Sequence, residues 1–408
     1  GPNSGTAAGA TFQSFENLTG QNGNDSFAFA GGGSLSGAID GGIGTDTLDF
    51  TNSGSARTVT FNGLGSADGL NGTEALVAGG FRNINSVVGS SVGGDLLIGA
   101  TLVNGSSVPL NDGTWQIGPT RTYSVGGRLV GFSNFESVQG GDYNDLFTVS
   151  GTNTGSLSIN LHGGNGGGLD TFSFLDAATL NGSVTGGDGN DTLTFESYST
   201  AIGISLTGST ANGFAGTTSP AGLISGGFSE IDSLVAGDAG DTLAGSNNDA
   251  LWEVDGTNRY SNPGIDPNRF LSFQDFENLN GGTAVDTFEV TGNQSTNLNG
   301  GDGDDVIRLL DPSNLTGSVN GGNGNDTFDL SIKTVAQSIN VSSLISIENV
   351  IGTTGNDTLV GASGGSTFQI TGLDQFTVGT SSYSGFENLQ GGSGADTFLF
   401  ANDVAAVS

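Results

Sequence analysis

The pattern Gly-Gly-x-Gly-x-Asp recurs along this chain and limits the possible folds more than any other feature. Complete copies end at Asp46, Asp191, Asp305, Asp326 and Asp396. Degraded copies end at Asp25, Asp95, Asp145, Asp170, Asp241, Asp286 and Asp357. Many successive terminal aspartates lie about 20 residues apart or about twice that distance, which is within the repeat length of solenoid proteins. The chain is therefore predicted to fold as a stack of similar coils.

The residues that follow a terminal aspartate alternate between apolar and polar. After Asp46 this alternation directs Leu48 and Phe50 inward, as in a β-strand, and leaves Thr47 and Asp49 outward. No stretch keeps the apolar spacing of a helix for three turns without a glycine. Crossover connections between parallel strands are nearly always right-handed. The predicted fold is an all-β, right-handed parallel β-helix (a β-solenoid) with coils of about 20 residues.

A longer repeat is superimposed on the short one. Phe-Glu-Asn-Leu or a close variant recurs at Phe15, Phe135, Phe276 and Phe386. Corresponding places within this longer repeat hold Trp115, Trp252 and Phe368. We predict one continuous solenoid over residues 3–408, made of related modules near 11–130, 131–271 and 272–382, with the start of a fourth at 383–408. Residues 1–2 are interpreted as the remnant of a cleaved tag.

The formal net charge of -33 arises from 41 acidic residues and only 8 basic ones. Such a surface repels nucleic acid and anionic membranes, and it attracts cations. No run approaches the ~20 apolar residues of a membrane helix, so membrane insertion is not expected. Because the chain has no cysteine, disulfides and thiolate metal sites are excluded, and oxygen atoms are the abundant metal ligands. Calcium is the natural partner for such ligands.

The complete motifs resemble the calcium-binding nonapeptide Gly-Gly-x-Gly-x-Asp-x-U-x of RTX proteins, in which U is a large apolar residue. The wider pattern is similar to giant bacterial surface adhesins with filamentous-haemagglutinin-like β-helices. Both families are exported, so the resemblance implies an extracellular location on the bacterial cell surface. In RTX proteins calcium lies between a turn aspartate and carbonyl groups of the neighbouring turn. Here the motif occurs at most once per coil, which departs from the tandem RTX arrangement.

The resemblance implies calcium sites wherever motifs stack on consecutive coils. Such pairs are Asp25 with Asp46, Asp170 with Asp191, and Asp305 with Asp326. The predicted metal ligands are Asp25, Asp46, Asp170, Asp191, Asp302, Asp304, Asp305, Asp326 and Asp396, of which Asp302, Asp304, Asp305 and Asp326 form the densest cluster. A structural alternative stays open, because glycine adopts positive φ in tight turns and aspartate accepts hydrogen bonds from turn N–H groups without any ion.

The residues do not indicate an enzyme. The only histidine, His162, is accompanied by no serine or cysteine nucleophile motif, and a surface position beside a turn is the simpler interpretation. Asp304 and Asp305 could be read as paired carboxylates for glycoside hydrolysis, but adjacent turn acids are usually solvated or metal-bound. We therefore expect a chain without catalytic residues.

The favoured function is a non-catalytic structural or adhesive segment of a large secreted bacterial cell-surface protein, with calcium as a candidate stiffening ion. The expected partners are calcium ions and a ligand on a host-cell, neighbouring-cell or matrix surface, with a glycan as one candidate. One alternative is a carbohydrate-binding or polysaccharide-processing β-helix with a platform of Trp115, Trp252, Tyr123 and Tyr260, although packing of these rings in the core is favoured. The other alternative is a self-assembling matrix or surface-layer component.

Overall fold

The computed structural model describes residues 4–7, 10–100, 112–151 and 158–400. These residues form β-strands joined by turns, and none of them lies in a helix. Strands from successive coils pair in parallel, as β16 (Leu146–Val149), β18 (Thr171–Phe174) and β20 (Thr192–Thr194) do. The predicted all-β parallel solenoid is therefore confirmed. Within the described ranges there is also no helix of the length and hydropathy needed to cross a membrane.

The described ranges contain 43 strands, most of them short. In chain order they are β1 (Ser4–Ala7), β2 (Ala10–Gln13), β3 (Leu18–Thr19), β4 (Ser26–Ala30), β5 (Ile39–Asp40), β6 (Thr47–Asn52), β7 (Thr58–Leu64), β8 (Leu70–Glu74), β9 (Val77–Ile84), β10 (Ser86–Val88), β11 (Leu96–Ile98), β12 (Thr114–Ile117), β13 (Thr122–Val125), β14 (Arg128–Ser133), β15 (Ser137–Gln139), β16 (Leu146–Val149), β17 (Asn160–Gly164), β18 (Thr171–Phe174), β19 (Val184–Gly187), β20 (Thr192–Thr194), β21 (Gly203–Thr210), β22 (Gly213–Ser219), β23 (Phe228–Ile231), β24 (Ser233–Val235), β25 (Thr242–Ala244), β26 (Ala250–Val254), β27 (Arg259–Ser261), β28 (Leu271–Gln274), β29 (Asn278–Gly282), β30 (Asp286–Gln294), β31 (Asn297–Asp302), β32 (Val306–Leu315), β33 (Val319–Asn323), β34 (Thr327–Asp329), β35 (Ser338–Asn340), β36 (Leu344–Ile345), β37 (Asn349–Ile351), β38 (Thr358–Val360), β39 (Thr367–Gly372), β40 (Gln375–Val378), β41 (Ser381–Ser384), β42 (Asn388–Gln390) and β43 (Thr397–Phe400).

The chain divides into two compact units. Unit 1 comprises Gly1–Thr200 with Ser209–Val235, and unit 2 comprises Ala201–Gly208 with Ala236–Ser408. The division into three modules that the longer repeat suggests stays a prediction.

Unit 1 is built on two ladders of strands. In ladder 1A, the strands β12, β16, β18 and β20 bring Trp115, Phe147, Phe172 and Leu193 into one buried column. In ladder 1B, the strands β11, β15, β17 and β19 align Leu97, Val138, Leu161 and Val184 in the same way. The rings of Phe147 and Phe172 stack with centroids 4.8 Å apart, which matches the spacing of paired strands. The predicted inward positions Leu48 and Phe50 are fully buried, whereas Thr47 and Asp49 are partly exposed.

Unit 2 repeats this construction. In ladder 2A, the strands β26, β30, β32, β34 and β37 align Trp252, Phe288, Ile307, Phe328 and Val350. In ladder 2B, the strands β25, β29, β31 and β33 align Leu243, Leu279, Leu298 and Val319. All of these side chains are buried. Each unit therefore buries continuous apolar columns that no single coil could form.

Antiparallel meanders interrupt the simple coils, and the short repeat did not predict them. They include β7–β8–β9 in ladder 1B, β12–β13–β14 in ladder 1A, and β26–β27–β28 and β39–β40–β41 in ladder 2A. In β12–β13–β14 the last strand pairs with β10 of the preceding coil and the first strand pairs with β16 of the following coil. The chain thus reverses twice inside the stack and fills three positions of one ladder.

Candidate functional site

The terminal aspartates of the Gly-Asp turns form columns of hydrogen-bonded carboxylates. In each column, Oδ1 of one aspartate accepts the backbone N–H of the equivalent aspartate on the preceding coil. The N–H of Asp170 reaches Asp191 at 2.8 Å, and the N–H of Asp25 reaches Asp46 at 2.9 Å. The N–H of Asp305 reaches Asp326 at 2.8 Å. The pairs predicted to stack on consecutive coils therefore do stack.

The second carboxylate oxygen of several turn aspartates is buried and has no hydrogen-bond partner within the described residues. This orphaned Oδ2 is found in Asp25, Asp46, Asp191, Asp286, Asp305 and Asp326. In other degraded copies a turn N–H supplies this bond, as Gly141 does for Asp145 at 2.6 Å and Gly237 does for Asp241 at 2.9 Å. The orphaned oxygen therefore occurs in complete copies such as the one ending at Asp305 and also in the degraded copies that end at Asp25 and Asp286.

The two adjacent glycines of the motif are required because neighbouring coils approach very closely. A Cβ on Gly300 would lie 2.3 Å from Asp305 Oδ2 and also 2.3 Å from the carbonyl oxygen of Gly321 on the next coil. Gly301 has a φ of 110°, and a Cβ there would lie 2.1 Å from the carbonyl oxygen of Gly282. The orphaned Oδ2 of Asp305 and the carbonyl oxygen of Gly321 both adjoin the Cβ position of Gly300, so two hydrogen-bond acceptors lie around the same glycine.

Burial raises the pKa of several turn aspartates. It is the largest cause at Asp170 and Asp286, whose pKa rises to about 8, and at Asp191, whose pKa rises to about 7. The pKa of Asp305 rises to about 6 for the same reason, and the charge of Asp326 adds to the effect. A proton on Oδ2 would convert one of the two acceptors around the glycine into a donor. A raised pKa at these positions favours the protonated carboxyl group over the buried charge.

The recurring Phe-Glu-Asn sequence supplies the same acceptor where the next coil lacks a Gly-Asp turn. Glu136 accepts the N–H of Asp95 at 2.8 Å, and Glu277 accepts the N–H of Asp241 at 2.7 Å. Glu387 accepts the N–H of Asp357 at 2.7 Å. Sequence reasoning identified the repeat but not this role. The signal that could have revealed this role is that glutamate follows the phenylalanine in every copy of the repeat. A solvent-exposed position without a specific contact would tolerate several residue types.

A second aligned sequence, Ile-x-Ser/Asn, also continues the columns. Asn85, Asp232 and Glu348 follow the isoleucine and accept the N–H groups of Asp46, Asp191 and Asp326 at 3.1, 3.1 and 2.9 Å. Every one of these bonds joins residues within a single unit. The longer repeat therefore marks where a different side chain replaces the turn aspartate.

The remaining predicted metal ligands lie apart from the buried columns. Asp302 and Asp304 are exposed, and they accept hydrogen bonds from Asn323 Nδ2 at 2.8 Å and from the N–H of Asn325 at 2.9 Å. Asp396 is partly exposed and accepts the N–H of Ser366 at 2.7 Å. Among the described residues, no three acidic or histidine side chains converge on one point.

Calcium takes six to eight oxygen ligands, of which Asp305 Oδ2 and the carbonyl oxygen of Gly321 are two candidates. Binding of calcium at the predicted aspartates stays a prediction.

The tryptophans are core residues and do not form an exposed platform. Trp115 and Trp252 are fully buried, and each stacks on a phenylalanine of the following coil, with ring centroids 5.7 and 5.4 Å apart. Tyr123 and Tyr260 are also buried, and their hydroxyls accept backbone N–H groups at 2.9 Å. The interpretation of these rings as core is confirmed. His162 lies half-buried on β17, in register with strands on both sides.

An open groove of about 480 Å³ runs across the outward face of ladder 2B. Asn280, Asn299 and Asn320 form a column along it, because β29, β31 and β33 are in register. A parallel column holds only glycine, which leaves the groove free of side chains there. Oδ1 of Asn299 and Oδ1 of Asn320 have no hydrogen-bond partner within the described residues. These two oxygens are buried, whereas the three asparagine residues are partly exposed, so the groove presents the other atoms of the asparagine column to a ligand.

Comparison with protein-family models and with curated proteins gives no match to this chain.

Proposed function

We propose that this chain is a non-catalytic structural and adhesive segment of a large bacterial cell-surface protein. The observation that carries the proposal is the column of turn carboxylates, in which each coil accepts an N–H group from the coil before it. Parallel ladders and stacked rings join the same neighbours. A unit held together at every coil boundary resists deformation along the stack, which suits a spacer or stalk. The extracellular location rests on the sequence resemblance to RTX proteins and surface adhesins.

Single-molecule force spectroscopy tests the structural part of this proposal. When the chain is pulled from its ends, we expect stepwise unfolding in multiples of one coil. One coil of about 20 residues releases roughly 70 Å of extended chain. Smooth extension at low force, without steps, would show that the coils do not resist load and would contradict the proposed structural role.

For the adhesive part, the groove on ladder 2B is the candidate contact surface, and we propose a neutral glycan as its ligand. Amide groups pair well with hydroxyls, which both donate and accept hydrogen bonds. The formal net charge of -33 disfavours acidic polysaccharides. The groove crosses successive coils, so that an extended chain of sugars could contact Asn280, Asn299 and Asn320 in turn.

Binding to an immobilised panel of neutral glycans tests the adhesive part. The double variant Asn299→Leu with Asn320→Leu should lose binding, because it removes two adjacent amides from the groove. Asn293→Leu is the matched control, since Asn293 is exposed on β30 and does not line the groove. Equal binding by all three proteins would exclude the groove, and absence of binding by the wild type would contradict a glycan ligand.

A further inference from the structure

Lys333 is the only lysine of the chain, and it is buried with 4% of its surface exposed. It follows β34, and its Nζ donates to the carbonyl oxygen of Ser313 at 2.5 Å and to the Ser313 hydroxyl at 3.2 Å. Both partners are neutral. The ammonium group is thus hydrogen-bonded, but its charge is not matched by these contacts.

No carboxylate of the described residues forms an ion pair with Lys333. Asp329, four residues before Lys333, pairs with Arg308 at 3.0 Å, and Asp311 accepts the hydroxyl of the adjacent Thr334 at 2.7 Å. Buried charges are normally paired, because removal from water without a counter-charge is costly. An unpaired buried cation is unexpected in a chain with 41 acidic residues.

A cavity of about 180 Å³ adjoins Lys333 in unit 2. Its walls include the apolar side chains Leu309, Phe328, Leu330 and Leu344, while polar groups form the larger part of the exposed lining. The polar lining is formed mainly by uncharged groups, and Lys333 is its one charged side chain. The cavity therefore combines a single cation with an aliphatic and aromatic wall.

We propose that this cavity binds a small aliphatic monocarboxylate, with the carboxylate at Lys333 Nζ and the alkyl chain against Phe328 and Leu330. The carboxylate supplies the missing counter-charge as a charge-assisted hydrogen bond. The alkyl chain removes apolar wall from water. At roughly 30 Å³ for each water-sized group, the cavity admits a ligand of about six non-hydrogen atoms, which is the size of butyrate.

Other ligand classes fit this cavity less well. A neutral ligand would leave the charge of Lys333 unmatched, and a nucleotide or an oligosaccharide exceeds about 180 Å³. A polyanion would be repelled by the acidic surface. Chloride could match the charge, but it would not fill the apolar part of the cavity. The inference is independent of the proposed adhesive role, which uses a different face of unit 2.

Because Lys333 is the only lysine, NMR with ¹³C-labelled lysine reports on this site alone. Titration with sodium butyrate should shift the ε-CH₂ signal of Lys333 and reach saturation, whereas butyramide and sodium chloride at equal concentration should have little effect. A shift that chloride reproduces in full would reduce the site to a simple anion site and overturn the proposed ligand class. Absence of a saturable shift with butyrate would also overturn it.

Calorimetry with a variant provides the second measurement. Lys333→Met keeps an apolar side chain of similar length but removes the charge, so butyrate affinity should fall at least about tenfold. Arg82→Met is the matched control, because Arg82 is an exposed cation on β9, outside the cavity, and its removal should leave affinity unchanged. Equal butyrate affinity in Lys333→Met would overturn the proposal. If this variant does not fold, the wild-type NMR titration still decides.

Discussion

The backbone N–H of Asp305 donates to Oδ1 of Asp326 on the next coil, at 2.8 Å. The sequence separation of 21 residues is one coil, and the same bond joins Asp286 to Asp305 at 2.7 Å. The turn aspartate thus has a role between coils as well as within its own turn. It satisfies a buried N–H group that the strand ladder does not reach.

Substitutions at Asp305 should distinguish the role of Oδ1, which accepts the N–H of Asp286, from that of Oδ2, which has no hydrogen-bond partner within the described residues. Asp305→Ala leaves the N–H of Asp286 without a partner, and we expect a loss of about 1–3 kcal/mol in the free energy of unfolding. Asp305→Asn keeps the accepting oxygen, and its amide group can donate to the nearby carbonyl of Gly321. The asparagine variant should therefore match or exceed the wild type in thermal stability at pH 8. If both variants are equally destabilised, the hydrogen-bonding role is wrong.

Stability should fall as the pH rises from about 5 to about 8.5. Burial raises the pKa of Asp170 and Asp286 to about 8 and that of Asp191 to about 7, whereas the unfolded chain titrates near 3.8. The folded state therefore holds protons that the unfolded state has already released, and this stabilisation is full below pH 4 and is lost as the pH passes through the raised pKa values. Thermal unfolding across this pH range measures the effect.

The pH effect needs a control for general charge repulsion. Asp170→Asn, Asp191→Asn and Asp286→Asn combined should flatten the decline. The control combines Asp142→Asn, Asp188→Asn and Asp304→Asn, which removes the same formal charge at exposed turn positions and should preserve the decline. An equal response of the two triple variants would assign the effect to overall charge.

Gly301→Ala should be strongly destabilising. The φ of 110° is disfavoured for alanine, and the added Cβ would lie 2.1 Å from the carbonyl oxygen of Gly282, so that the coils would have to separate. Gly264→Ala is the matched control, because a Cβ there meets no atom within 4 Å. We expect Gly301→Ala to lower the melting temperature by several degrees more than Gly264→Ala in circular dichroism. Similar melting temperatures would contradict the close approach of the coils.

The glutamate of the Phe-Glu-Asn sequence should be replaceable only by another acceptor. Glu277→Gln retains an oxygen for the N–H of Asp241, whereas Glu277→Leu does not. We expect the leucine variant to lose about 1–3 kcal/mol in unfolding free energy and the glutamine variant to lose much less. Urea unfolding of both variants measures the difference, and a glutamine variant as unstable as leucine would argue against the bond.

Calcium binding, if present at the turn aspartates, should compete with protons. Because calcium requires ionised carboxylates, its affinity and its effect on the melting temperature should be larger at pH 8 than at pH 6. Calorimetric titration at both pH values, with Asp305→Asn compared with the wild type, measures this. No heat at millimolar calcium at either pH would leave the turns as purely structural elements.

The sequence by itself determined the repeating coil, the inward positions such as Leu48 and Phe50, and the stacking of Asp170 on Asp191. These features follow from local periodicity, since a strand alternates every two residues and a repeated turn returns the chain to the same place. Only the tertiary structure decided that Glu277 replaces a turn aspartate and that β12–β13–β14 reverses its order within the ladder. It also decided that Lys333 forms no ion pair within the described part of the chain. These properties depend on which residues of neighbouring coils meet, and pairs that are about 20 to 40 residues apart have no local pattern that identifies them.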